Sequence, residues 1–155
     1  MPVYMNDAAF LKKGYSINTE KQLLQFDAIY NYLANESYWA KGMPAQKLKT
    51  AIDNSLCFGI YKGDAQAGFA RVVTDYATFA YICDVFVLKD HQGIGLSKWL
   101  IQTILAHHAL QGLRRWSLAT LDAHGLYRQF GFTEINNPQN WMQIYTPYTI
   151  NKETK

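Results

Sequence analysis

The sequence predicts one α/β domain, a mixed and mostly antiparallel sheet flanked by helices, and three observations carry that expectation. Residues 56–61, 67–73 and 79–88 are apolar runs rich in β-branched and aromatic residues, separated by Gly-Asp-Ala-Gln at 63–66 and Thr-Asp-Tyr-Ala at 74–77. Separators that short suit hairpins, so the three strands should be antiparallel neighbours. Beyond the third strand, Gly93 and Gly95 precede apolar residues at mostly helical spacing, Leu96, Leu100, Ile101, Ile104 and Leu105. The helix over 94–110 leads to a strand at 115–119, and such a strand-helix-strand unit should be a right-handed parallel crossover. Finally, 155 residues with 49% hydrophobic, 17% charged and 15% aromatic content make one globular domain over 1–155, without internal repeats or low-complexity tracts.

The remaining elements follow from local pattern. Leu23, Leu24, Phe26, Ile29, Tyr30 and Leu33 give an apolar face to a helix over 19–34, and a second helix is expected over 45–52. Between them Gly42 and Pro44 interrupt regular structure while Tyr38 and Trp39 remain, a loop suited to line a pocket. A short helix over 123–130 should end at Gly131, and 141–145 reads as a last strand, aromatic enough to join the sheet of a homodimer.

Composition excludes several classes. The formal charge of +3 is small and its Lys and Arg residues are scattered, so nucleic acid binding is not indicated. No apolar run approaches a membrane span and the start lacks a basic region followed by an apolar core, which predicts a soluble, cytoplasmic protein. Cys57 and Cys83 lie in apolar runs, as buried thiols of a reducing compartment do, and no His/Cys cluster has metal-ligand spacing.

The segment from Asp84 to Leu100 is an anion site in outline. A glycine turn between a strand and a helix presents backbone N–H groups that have no intrahelical partner, at the positive end of the helix dipole. No Ser or Asp stands just before Ile94 to cap the helix, which leaves those groups to an outside acceptor. The turn lacks the Gly-Lys-Ser/Thr ending of nucleotide hydrolases and the three-glycine fingerprint of dinucleotide oxidoreductases.

On these residues the chain resembles the GNAT-type N-acetyltransferase superfamily, over about 56–145. Its central signature is Arg or Gln, two residues, Gly, one residue, then Gly or Ala; this chain carries Gln92, Gly93, Ile94, Gly95, Leu96 and Ser97. Gln stands for the commoner Arg and Ser for the last small residue. A second match is Ala123, Tyr127 and the pair Gly131-Phe132, with Thr120 where the family often has Asn. The resemblance implies a GNAT-like fold with splayed middle strands and acetyl-coenzyme A as donor, its pyrophosphate on residues 92–97. It places the pantetheine arm along Phe86 and Val87 and near Thr120 and Ala123, with Tyr127 close to the thioester sulfur.

Acetyl transfer needs a neutral amine, a held oxyanion and a proton for the leaving thiolate. The resemblance offers Tyr127 for the proton, the Val87 N–H for the carbonyl, and Asp84 as base, directly or through water. Taken alone, Tyr127 reads as a packing residue, Asp84 as a strand residue bonded to nearby backbone, and His91 and His124 as surface histidines. Tyr38 and Trp39 would face the acceptor, an amine of a small molecule or peptide whose identity stays open. A noncatalytic acyl-coenzyme A sensor is the alternative reading.

Overall fold

A computed structural model describes residues 7–149. Five strands form one sheet in the order β1-β2-β3-β4-β5: Tyr15–Asn18, Leu56–Lys62, Ala65–Thr74, Phe79–Val87 and Arg115–Leu118. The first four pair antiparallel and β4 with β5 is parallel, as the strand-helix-strand pattern predicts. The helices are α1 (Asp7–Lys12), α2 (Phe26–Asn31), α3 (Ala45–Asp53), α4 (Leu96–Ala106) and α5 (His124–Arg128).

Strand periodicity divides the core between the faces of the sheet. On one face Phe58, Ile60, Ala70, Val72, Ala80 and Ile82 pack beneath Leu96, Leu100, Ile101 and Ile104 of α4, and Phe10 of α1 stacks on Trp99 at 4.6 Å. On the other, Cys57, Phe69 and Phe86 meet Ile29 of α2 and Leu48 and Ile52 of α3.

Three expectations are corrected, and two elements come in addition. The helix over 19–34 is broken into a 3-10 turn at Lys21–Leu23, α2, and a π turn at Tyr32–Glu36. The break falls at Gln25, whose backbone N–H is taken by Gln66 Oε1 (3.0 Å) while its own Oε1 accepts from the Gln66 N–H (3.1 Å). Long-range bonds thus override local helix periodicity. The helix over 94–110 ends at Ala106, because His107 turns extended and its Nδ1 accepts from the Ala109 N–H (3.2 Å) to start a 3-10 turn at His108–Leu110. The strand over 141–145 is not formed. Trp141 lies over the Arg115 guanidinium at 4.6 Å, and the chain leaves the sheet there with Met142 and Ile144 almost wholly exposed. Lastly, α1 and β1 lie before the first element that the sequence pattern marks; β1 gains its identity by pairing with β2, from Tyr15 opposite Lys62 to Asn18 opposite Gly59.

Candidate active site

The site is built at the wedge past the end of the β4–β5 ladder. Their ladder runs from Phe79 beside Arg115 to Ile82 beside Leu118 and goes no further, although β4 continues to Val87. A bulge bends β4 just past that point. Ala70 alone on β3 faces both Asp84 and Val85, and Asp84 takes a left-handed φ of +54°. A non-glycine residue in that region is strained unless its surroundings hold it.

Asp84 is held by its side chain. It is 6% exposed; Oδ2 accepts from Arg71 Nε (2.8 Å) and Oδ1 from Trp39 Nε1 (3.0 Å), while Arg71 Nη1 donates to Ser55 Oγ (3.1 Å). A buried carboxylate requires such a partner. Both its oxygens are therefore already engaged, and any proton it takes must come through remaining lone pairs. Arg71 escaped sequence reasoning, although a signal existed. It is the single charged residue of β3, as Asp84 is of β4, and hairpin pairing brings the two strands together.

Downstream of β4, Gly93 and Gly95 take φ of +86° and +92°, conformations that only glycine adopts cheaply. Open space lies where a Gly93 Cβ would be, so a ligand can reach the backbone there. Gly95 is the N-cap of α4 and offers no side chain; the first helical bond runs from the Trp99 N–H to the Gly95 carbonyl (3.1 Å). The N–H groups before Trp99 are those a helix start leaves to an outside acceptor. Gln92 does not reach outward: its Nε2 donates to the Val87 carbonyl (2.9 Å) and ties the turn to β4. Ile94 and Ser97 are at least partly open, whereas the Leu96 side chain is core, leaving only its backbone for a ligand.

Across the wedge, Tyr127 of α5 is 8% exposed, and burial with the neighbouring Tyr38 and Asp122 pushes its phenol up to about 12. It lines a groove of about 410 Å³ with Leu118, Thr120 and His124. Thr120 Oγ1 accepts from the Ala123 N–H (3.0 Å), so Thr120 shapes the turn into α5. On the opposite side Tyr38 accepts from the Leu121 N–H at its hydroxyl (3.0 Å) and sets its ring edge-on to Trp39, 5.0 Å between centroids. Tyr32, which the sequence pattern assigned only to a helix, stacks on Phe86 at 4.1 Å. Tyr38 and Trp39 thus join the 37–43 loop to both edges of the wedge, one to the α5 approach and the other to Asp84. Phe86 and Val87 are buried at 4% and 6% exposure. His91 accepts or donates at Nδ1 with the Tyr15 hydroxyl (2.8 Å), and His124 is exposed. The thiols of Cys57 and Cys83 are free, and burial pushes them up to about 11 and about 12, so neither is an activated nucleophile. No group of His, Cys, Asp and Glu able to hold a metal occurs among the described residues.

Comparison with known proteins agrees with this architecture. The sequence profile described as "Acetyltransferase (GNAT) family" matches residues 26–132. A crystal structure of a GNAT-family protein from Xanthomonas campestris pv. campestris superposes with a TM-score of 0.84 at 50% identity, covering 86% of this chain and 94% of the other. A Gibberella zeae protein that bears an acetyltransferase name is 36% identical over 117 residues, and the match covers 63% of this chain and 65% of that protein's length. The ribosomal-protein-S18-alanine N-acetyltransferase of Escherichia coli shares the fold, with a TM-score of 0.64 at 19% identity over 79% of each chain. A mixed five-stranded sheet whose β4 runs on past its last β5 partner, and a matched profile over most of the length, lead to one assignment: the chain belongs to the GNAT acetyltransferase family.

Proposed function

We propose that the protein is an acetyl-coenzyme A-dependent N-acetyltransferase that moves an acetyl group directly to a primary amine of a small molecule or peptide. The observation that carries this reading is the wedge beyond Ile82 and Leu118, with the uncapped glycine turn after β4 and the buried Tyr127 beside β5. The residues present suit the donor. Backbone N–H groups of 93–98 suit a pyrophosphate, and the β4 edge from Cys83 to Val87, beyond its last β5 partner, suits an extended arm that pairs as an added strand does. Bound acetyl-coenzyme A supplies an acetyl thioester already activated toward an amine, so no enzyme nucleophile is needed.

Tyr127 keeps its phenol proton throughout the neutral range and holds it for the departing thiolate. Asp84 takes the ammonium proton through water, and its Trp39 and Arg71 contacts fix where that water can sit. Tyr38 and Trp39 wall the acceptor side, where an amine also meets aromatic faces. Free thiols at Cys57 and Cys83 suit the reducing cytoplasm. A noncatalytic acyl-coenzyme A sensor would use the same turn and wedge; a buried phenol at Tyr127 favours the enzyme.

Calorimetric titration with acetyl-coenzyme A, followed by a thiol-release screen over a panel of amines, tests the reading. Binding with amine-dependent release is expected. Binding without release for every amine would favour the sensor, and absence of binding would remove both.

A further inference from the structure

We propose that the acceptor in this acetyl transfer is a dication: an unbranched aliphatic primary amine with a second ammonium, which does not react and is held by Glu36 and Asp122 at the mouth of the wedge. The inference rests on the acetyltransferase reading and names its substrate class. One hydrogen bond brings the two carboxylates to the same place. The Leu121 N–H donates to the Tyr38 hydroxyl (3.0 Å), with Asp122 next to Leu121 in the chain and Glu36 two residues before Tyr38. That bond joins the 37–43 loop to the approach to α5, so Glu36 and Asp122 flank one junction although they are far apart in the chain. The same bridge narrows the approach, which suits a slim alkyl amine better than the surface of a folded protein.

Neither carboxylate is answered from within the protein. Among the described residues the ion pairs are Arg71 with Asp84 and Arg128 with Glu134, and Glu36 and Asp122 are exposed and unpaired. Lys41, the one Lys or Arg in residues 32–43, is not among the charges that act on the neighbouring phenols of Tyr32 and Tyr127. Two carboxylates left without a counter-charge, in a chain of formal charge +3, give the mouth a local negative field that favours a cation. Asp84 cannot supply this second contact, since its carboxylate already answers Arg71.

Two phenols mark the space on which that field acts. Tyr127 is 8% exposed and lines the groove beside β5, and among the described residues its hydroxyl has no hydrogen-bond partner, which leaves a buried donor to a ligand. Tyr32, stacked on Phe86 of β4 at the other wall, likewise has no partner for its hydroxyl. Burial, then Glu36 and Asp122, push the Tyr32 phenol up, and Asp122 also acts on Tyr127. A carboxylate felt from both walls lies at the space between them. Tyr32, Trp39 and Tyr38 continue the lining as neighbouring rings, 6.3 Å and 5.0 Å between centroids, and such faces suit ammonium and methylene groups alike. One nitrogen of the acceptor loses a proton to water beside Asp84 and attacks the acetyl carbon, so that the C–N bond forms as the C–S bond breaks. The thiolate takes the Tyr127 proton, and the proton shed by the new amide returns to Tyr127. The other nitrogen keeps its charge against Glu36 and Asp122 and fixes the position of the first.

Putrescine and cadaverine, compared with butylamine and pentylamine of the same carbon count, isolate the second charge. Calorimetric titration of each amine into the protein, alone and saturated with coenzyme A, is expected to show the diamines binding roughly fivefold to tenfold more tightly at low ionic strength, a preference that shrinks in high salt. With acetyl-coenzyme A present, kcat/KM from thiol release should favour the diamines by a similar factor. Glu36→Gln combined with Asp122→Asn should bring both ratios close to unity, which a merely structural role would not do; both side chains are exposed, so far-ultraviolet circular dichroism should match the parent. No binding of any amine, equal affinity for monoamine and diamine, or a preference that survives the double substitution overturns the proposal. Diamine-selective binding without thiol release would uphold the cation site and remove the acetyl transfer, whereas equal release from butylamine and putrescine would uphold the transfer and remove the cation site.

Discussion

At the scale of single residues, the proposed chemistry and the architecture meet at Tyr127 and Asp84. The phenol, pushed up to about 12 by burial, stays protonated well past neutral pH, which suits a donor to a thiolate and not a base. Tyr127→Phe removes that proton and little volume. Turnover is therefore expected to fall by about a hundredfold with donor affinity nearly unchanged, as steady-state kinetics beside calorimetry will read. Equal turnover in the variant would remove Tyr127 from the chemistry. Because the folded phenol is neutral below about 12, a basic limb at lower pH must come from another group. Asp84 carries a different burden, for its side chain is 4% exposed and that of Arg71 16%, and the pair is largely withdrawn from water. Arg71→Leu leaves the carboxylate without its counter-charge and should cost about 3–5 kcal/mol in denaturant unfolding. Adding Asp84→Asn to it should recover part of that loss, since an uncharged amide is cheaper to bury. If Arg71→Leu unfolds as the parent does, the pair has no structural role and Asp84 must be held by its Trp39 bond.

At the scale of elements, what was legible in the sequence is what local chemistry determines. Short separators gave the β2–β3–β4 hairpins, and two glycines after an apolar strand gave the turn into α4, because a left-handed conformation and a missing cap are written in residue types. The Arg71–Asp84 pair was half legible, as one lone charge on each of two adjacent strands. The break at Gln25 was not, since its partner is Gln66, 41 residues away, and no periodicity records a reciprocal amide bond. The β4 bulge was equally hidden. It is held by side-chain bonds from Asp84 to Arg71 on the neighbouring β3 and to Trp39, 45 residues away in a loop, and no residue pattern within β4 records them. The turn itself supports a prediction. Gly95→Glu places a Cβ where φ is +92° and a carboxylate at the start of α4, where the donor's pyrophosphate is proposed to sit. Stability should drop by about 1–2 kcal/mol from the backbone strain, while coenzyme A affinity should fall below calorimetric detection. Retained affinity would move the pyrophosphate elsewhere.

At the scale of the whole molecule, one sheet serves two cores, and this links the site to the fold. The β3 and β4 strands contribute Ala70, Val72, Ala80 and Ile82 to the α4 side, and Phe69 and Phe86 to the α2–α3 side, so neither cluster can loosen without disturbing strands that the other needs. The last segment was misread for a reason of the same scale. Residues 141–145 have the composition of a strand, but a strand exists only where a partner edge is in reach, and composition says nothing of reach. The shared sheet predicts a single cooperative transition. Phe58, wholly buried on the α4 side of β2, is remote in packing from Trp39, which lies with the α2–α3 cluster. Phe58→Ala should cost about 3–5 kcal/mol through lost contacts and the cavity left behind. For a domain of this size that corresponds to a melting temperature lowered by roughly 6–20 °C. Fluorescence of a variant that keeps Trp39 as its sole tryptophan should report the same shift as far-ultraviolet circular dichroism, although the substitution lies across the sheet. Coincident shifts are the signature of one unit whose faces share their strands; a Trp39 transition that stays at the parent temperature would mean that the α2–α3 layer, with the Trp39 loop packed on it, folds independently of the α4 core.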